Sequence, residues 1–159
     1  MNTDDQFRRG GSMIATQLFR FATRARPEQV WVALTRPALT ATYLYGLAAH
    51  SDWRAGSPIA FTSGAGSTVT GEVLAVEEPR RLSYSLAAGD GQPATYVTWE
   101  VVEEDGITVV RLYVDEPGAS TRPGADAETE ATWLRAVARL ESVLASVGAD
   151  QAPGGAATS

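Results

Sequence analysis

The chain has no cysteine and a single histidine, His50, and every one of its basic residues is arginine. Without cysteine there is no thiol nucleophile, no disulfide and no cysteine-held zinc or iron–sulfur centre. Without lysine there is no Schiff-base chemistry. One histidine would need carboxylates to complete a metal site, so none is expected. No apolar run is long enough to span a bilayer, and the segment from Met1 to Ser12 has no apolar stretch of the secretory kind. A cytoplasmic location, with no membrane insertion, follows by default. There is no G-x-S-x-G, P-loop or H-E-x-x-H pattern. Gly64-x-Gly66 sits between two expected strands of a hairpin, which is the wrong context for a nucleotide fingerprint.

What is present is the composition of an ordinary globule: 159 residues, 44% hydrophobic and 20% charged, enough for a real core. Thirteen basic against 19 acidic residues give a net charge of −6. That charge argues against nucleic acid as a partner. The polar, glycine-bearing ends, residues 1–16 and 148–159, are expected to be a disordered leader and tail around a single domain over 17–147.

Within that domain the patterning is plain. Gln17 to Thr23 alternates, with Phe19 and Phe21 on one side, as a half-buried strand does. Pro27-Glu28 opens a helix with Val30, Trp31 and Leu34 on its apolar side, and Pro37 opens a second short one that ends near Gly46. Strands are expected over 58–62, 68–77, 82–86, 96–103 and 107–115. The last two flank Asp105-Gly106, the strongest hairpin signal in the chain. Gly89-Asp90-Gly91 reads as another turn, and Glu116 to Ala127 as a loop. Glu128 to Val147 lacks glycine and proline, and carries Trp133, Val137, Leu140 and Leu144 on one stripe. Such a helix must bury its stripe on the antiparallel sheet. The fold class is therefore α+β, a curved antiparallel sheet around a long C-terminal helix, with two short helices after the first strand.

Four local sequences go further. The run Arg26-Pro27-Glu28-Gln29-Val30-Trp31-Val32-Ala33-Leu34-Thr35 resembles the P-E-x-V-W-x-A-L-T opening of the Hsp90 ATPase activator homologue family within the SRPBCC group. Ser51-Asp52-Trp53-Arg54-Ala55-Gly56-Ser57-Pro58 resembles its S-D-W-R-x-G-S-P segment. Gly71-Glu72-Val73-Leu74 with Pro79-Arg80-Arg81-Leu82 resembles its G-E-V-L and P-R-R-L pair, and Val97-Thr98-Trp99-Glu100 its V-T-W-E strand. The blocks keep family order across nearly the whole globular part. The resemblance implies the START-like helix-grip fold and a cavity between sheet and long helix, which relatives use for hydrophobic molecules. It implies no common catalytic set. Two departures stand out. Arg36 precedes Pro37 where the family often has a capping acid. Asp115-Glu116-Pro117-Gly118 replaces a segment that often carries His-Gly and Gly-Gly-Trp.

The aromatic residues Trp31, Trp53, Trp99, Trp133, Tyr43, Tyr84, Tyr96 and Phe61 are the supply for a lining. Trp31 belongs to plain core. The cavity set is taken as Tyr43, Phe61, Trp99, Trp133 and Val137. His50 with Asp52 could form an oriented base, although a solvent-exposed loop histidine is the simpler reading. Asp52 and Arg54 suit loop architecture, through backbone N–H groups and a carboxylate respectively. Glu72 and Glu100 would matter as acid and base only if they converged in a pocket; otherwise they face water.

The leading reading is non-enzymatic binding of a small hydrophobic molecule, with no catalytic residue and no cofactor. A chaperone-linked interaction module and a cyclase- or dehydratase-type enzyme on polyketide-like substrates remain as alternatives. A homodimer through an edge strand is compatible with the pattern.

Overall fold

The protein is described from a computed structural model, which covers residues 15–66, 68–87, 94–116 and 125–150. The side chains of residues 15, 125–129 and 148–150 are left aside. The chain begins with strand β1 (Ala15–Thr23), followed by helices α1 (Pro27–Thr35) and α2 (Pro37–Tyr43). Six strands then run in succession: β2 (Ala48–Ser51), β3 (Pro58–Thr62), β4 (Thr68–Glu77), β5 (Arg81–Leu86), β6 (Thr95–Glu104) and β7 (Ile107–Glu116). Helix α3 (Ala125–Asp150) follows.

The strands form one curved antiparallel sheet in the order β1-β7-β6-β5-β4-β3-β2. From β2 to β7 each strand pairs with the next in sequence, while β1 docks against β7 at the far edge. This is the helix-grip arrangement expected from the pattern. Asp105 and Gly106, at φ 53° and 81°, make the tight β6–β7 turn. Positive φ at both central positions is what a two-residue hairpin asks for and what Asp-Gly supplies.

The helices start where proline puts them. Pro27 and Pro37 each hold the first helical position, where a missing N–H costs nothing. At α1 the Gln29 side chain turns back and accepts a hydrogen bond from the Arg26 N–H at 2.8 Å. At α2 no side chain caps the start, so Arg36 leaves Pro37 to set it.

Three differences from the expected pattern have physical causes. Strand β2 runs through Ala48–Ser51, so His50 stands on a strand rather than in a loop. Its sequence offers only small and polar residues and no alternation. The strand is held by pairing with β3 on one side, while on the other the Ala49 N–H donates to Thr40 Oγ1 of α2 at 2.8 Å. Second, α3 begins at Ala125 and reaches Asp150, and β7 takes in Glu116, so both invade the expected loop and tail. Third, β1 begins at Ala15, because its pairing with β7 runs on to Ala15 opposite Glu116. Of the expected leader (1–16) and tail (148–159), residues 1–14 and 151–159 lie outside the described residues, as does the turn at 89–91.

The sheet's inner face carries Phe19, Phe21, Val110, Leu112, Val97, Trp99, Leu82, Tyr84, Val73, Ile59 and Phe61, all buried. Helix α3 lays Trp133, Ala136, Val137, Leu140 and Leu144 into this concavity and packs along β1, α1 and α2. Burying each large side chain of that stripe contributes about 1.5–3 kcal/mol.

Strands β4 and β5 come unusually close at Gly71, and the β4 ladder shifts register between Val73 and Ala75. A Cβ built on Gly71 would lie 1.7 Å from the Ser85 carbonyl oxygen, which is backbone and has no flexible end to give way. Gly71→Ala should therefore destabilise the fold by about 3 kcal/mol, read from urea unfolding. Gly64→Ala, with open space around it, should shift stability by under about 1 kcal/mol. Equal effects at the two positions would contradict this reading of the strand approach.

Candidate functional site

A cavity of about 170 Å³ opens between the sheet and α3. Its walls come from four places. The segment after α2 supplies Leu44, Tyr45 and Leu47, and β3 and β4 supply Phe61 and Val69. Strand β5 supplies Tyr84 and Leu86, and α3 supplies Thr132, Trp133 and Ala136. Phe61, Tyr84 and Ala136 are buried, whereas Tyr45 and Thr132 are exposed and form the rim.

Local chain geometry sets this rim. Helix α2 ends at Tyr43, and the chain turns through Tyr45 and Gly46 at φ 57° and 84°. Glycine adopts that conformation freely; a tyrosine there is strained by about 1 kcal/mol or more. The strain is offset by what Tyr45 reaches. Its hydroxyl donates to the Thr132 carbonyl on α3 at 2.6 Å, and the Arg139 guanidinium lies 4.9 Å from its ring centroid. Tyr45 thus straps the α2 end to α3 across the cavity rim.

Beneath the apolar walls lies a connected aromatic layer. Phe61 and Tyr84 meet at 5.7 Å between ring centroids, and Tyr43 meets Trp99 edge-on at 6.2 Å. The Trp99 indole N–H donates to the Tyr84 hydroxyl at 3.1 Å. The Tyr43 hydroxyl is fully buried with no hydrogen-bond partner among the described residues. Burial raises its pKa well above the usual phenol value, and the nearby Tyr84 adds to the rise. Burial likewise pushes Tyr84 up to about 12, against a smaller lowering by the Trp99 hydrogen bond. Both phenols are neutral donors at any physiological pH.

Of the residues expected to line a cavity, Phe61 and Trp133 do so. Tyr43 and Trp99 pack in the aromatic layer, and Val137 is buried on α3 among the core residues. The residues that sequence reasoning did not place at the site are Leu44, Tyr45, Leu47, Val69, Leu86, Thr132 and Ala136, while Tyr84 was among its wider aromatic candidates. One signal was present for Ala136: it is a small residue on a helix stripe whose other members are large.

The polar candidates do not converge on the cavity. His50 and Asp52 are both exposed at the β2 edge. The hydrogen bonds that shape the next loop run through serines: Trp53 N–H to Ser51 Oγ at 3.0 Å, Arg54 N–H to Ser57 Oγ at 3.2 Å, and Ser57 Oγ–H to the Arg54 carbonyl at 2.7 Å. Glu72 and Glu100 lie on the outer face with β5 between their strands, and Glu100 accepts from the Tyr113 hydroxyl at 3.2 Å. Among the described residues no group of three or more histidines or acids is placed to hold a metal ion. Nor is any described helix long and apolar enough to cross a membrane.

The family model described as Activator of Hsp90 ATPase homolog 1-like protein matches residues 24–145, which hold both walls of this cavity. The chain belongs to that family. Solved structures agree with the assignment. A Mesorhizobium loti protein is 25% identical, with a TM-score of 0.67 over 82% of this chain and 96% of its own. A Rhodobacter sphaeroides protein is 28% identical, with a TM-score of 0.60 over 84% of this chain and 99% of its own. The Aha1 protein of Colwellia psychrerythraea, solved as a dimer, is 17% identical and shares the fold at a TM-score of 0.67 over 82% of this chain and 96% of its own. No curated protein matches the chain. The family assignment places the domain in the SRPBCC group with its START-like helix-grip fold.

The buried phenols make this family domain sensitive to alkali. Above pH 10 the unfolded chain releases phenol protons that the folded chain retains, so unfolding is favoured as pH rises. Stability should hold below pH 10 and fall between about 10 and 12, by up to about 1.4 kcal/mol per pH unit per buried tyrosine. Tyr43→Phe should reduce the fall. At neutral pH the same variant should be more stable by about 1 kcal/mol, because it removes an unpaired buried hydroxyl. Urea titrations at pH 7 and pH 11 measure both, and a destabilised variant at pH 7 would mean that the hydroxyl has a partner.

Proposed function

We propose that this domain binds a small, mostly apolar molecule in the cavity between its sheet and its C-terminal helix, without catalysing a reaction on it. The observation that carries the reading is the cavity itself. Its volume is about 170 Å³ and its walls are leucine, valine, alanine and aromatic side chains with few polar groups. An apolar cavity of about 150 Å³ is large enough to take up benzene and stays dry when empty. The volume here therefore suits a single ring with a short substituent rather than a long acyl chain.

Two features support binding over catalysis. The titratable side chains among the lining residues are phenols, and the acids and the histidine weighed as catalytic groups lie elsewhere on the molecule. Affinity would come from burial of the ligand, and orientation from a small number of hydrogen bonds at the cavity's edge. The Tyr45 strap would then set how readily the site opens.

Filling the cavity tests this. Ala136 is 1% exposed and lines the void, so Ala136→Leu places added carbon atoms in empty space rather than against packed neighbours. Toluene added to ¹⁵N-labelled protein should shift amide resonances around Leu44, Phe61 and Trp133. In Ala136→Leu the apparent affinity should fall at least about tenfold while the melting temperature stays level or rises. Absence of any saturable shift in the unmodified protein would end the reading.

A further inference from the structure

The apolar reading of the cavity leaves one buried polar side chain in its wall unused. Tyr84 is one of its lining residues. The Tyr84 oxygen accepts the Trp99 indole proton, which fixes the phenol's orientation. Its own proton has no acceptor among the described residues. Tyr43, within electrostatic reach of it, is fully buried and outside the cavity wall, and its hydroxyl has no partner among the described residues. A phenylalanine would fill the same space without the penalty of an unpaired buried hydroxyl. A phenol donor with no acceptor among the described residues, in the wall of an empty apolar space, is half of a recognition site.

From this we infer that the cavity selects neutral molecules bearing a carbonyl group, whose oxygen accepts a hydrogen bond from Tyr84. The inference rests on the binding function proposed above and narrows its ligand class. A carbonyl oxygen has lone pairs and no proton, the complement of a phenol donor. A carboxylate does not fit as well. Among the described residues no arginine lines the cavity, so an anion there would be buried without a counter-charge from them. Arg139 lies outside, over the Tyr45 ring. Both phenols stay protonated across the physiological range, so donation persists at any working pH.

A matched pair of probes separates this from simple apolar burial. Acetophenone and α-methylstyrene have nearly the same shape and differ in carrying C=O or C=CH₂. Affinities come from amide-shift titrations of the full chain. Tyr84→Phe should weaken acetophenone by about tenfold and leave α-methylstyrene within about twofold. Because Tyr84→Phe also strips Trp99 of its acceptor, its melting temperature is checked alongside. Tyr43→Phe gives the second measurement, since it is expected to fold at least as well as the unmodified protein. Because Tyr43 lies outside the cavity wall, this variant should leave both probes within about twofold. Loss of affinity for both probes alike in Tyr84→Phe, or unchanged affinity for the ketone there, would overturn the inference while leaving apolar binding standing. So would a cavity in which ordered water satisfies both phenols and the ketone gains nothing over the alkene. If neither probe binds the unmodified protein, the inference and the binding function fall together.

Discussion

One helix has to cover a seven-stranded sheet. Seven strands about 4.8 Å apart span roughly 29 Å, whereas a helix with its side chains is only about 10 Å across. A flat sheet would leave most of its apolar face in water. The sheet therefore curls around α3, and α1 and α2 fill in on the side where the chain leaves β1. The cover is tight along β1 and the short helices. It is incomplete towards β3, β4 and β5, and there the 170 Å³ cavity remains. The void follows from the geometry of the architecture, and the side chains decide how much of it is left open.

That distinction explains what could be read from the sequence. The alternation around Phe19 and Phe21, the prolines at 27 and 37, Asp105-Gly106 and the stripe from Trp133 to Leu144 are each local, and each produced its element. Four family-like blocks in order then fixed how the elements go together. Strand β2 was illegible because the Thr40 and β3 contacts that make Ala48–Ser51 a strand are tertiary. No window of its own sequence contains them.

The site was legible only in part, for a related reason. Patterning tells which side chains face inward, as for Trp99 on its strand and Trp133 on its helix stripe, both buried. It does not tell which inward side chains touch each other and which border a gap. Trp99 and Tyr43 are large enough to meet edge-on and close the space between them. Ala136 is too small to do so, and the space above it stays open. The rim depended on a backbone conformation at Tyr45 that tyrosine rarely adopts, which no sequence pattern announces.

The strand order carries a consequence for how the chain is made. From β2 to β7 every strand finds its partner next to it in sequence, so that ladder can zip up hairpin by hairpin. Strand β1 cannot join it. Its sole strand neighbour is β7, and the bond from Thr16 to Asp115 spans 99 residues. During synthesis β1 leaves the ribosome before the other six strands of this sheet, with Phe19 and Phe21 uncovered, and waits for nearly the whole domain to follow. Closing so long a loop is entropically costly and slow compared with forming a hairpin. Of the seven strands, the first made is the last that can be seated, and until then its apolar side is in need of shelter.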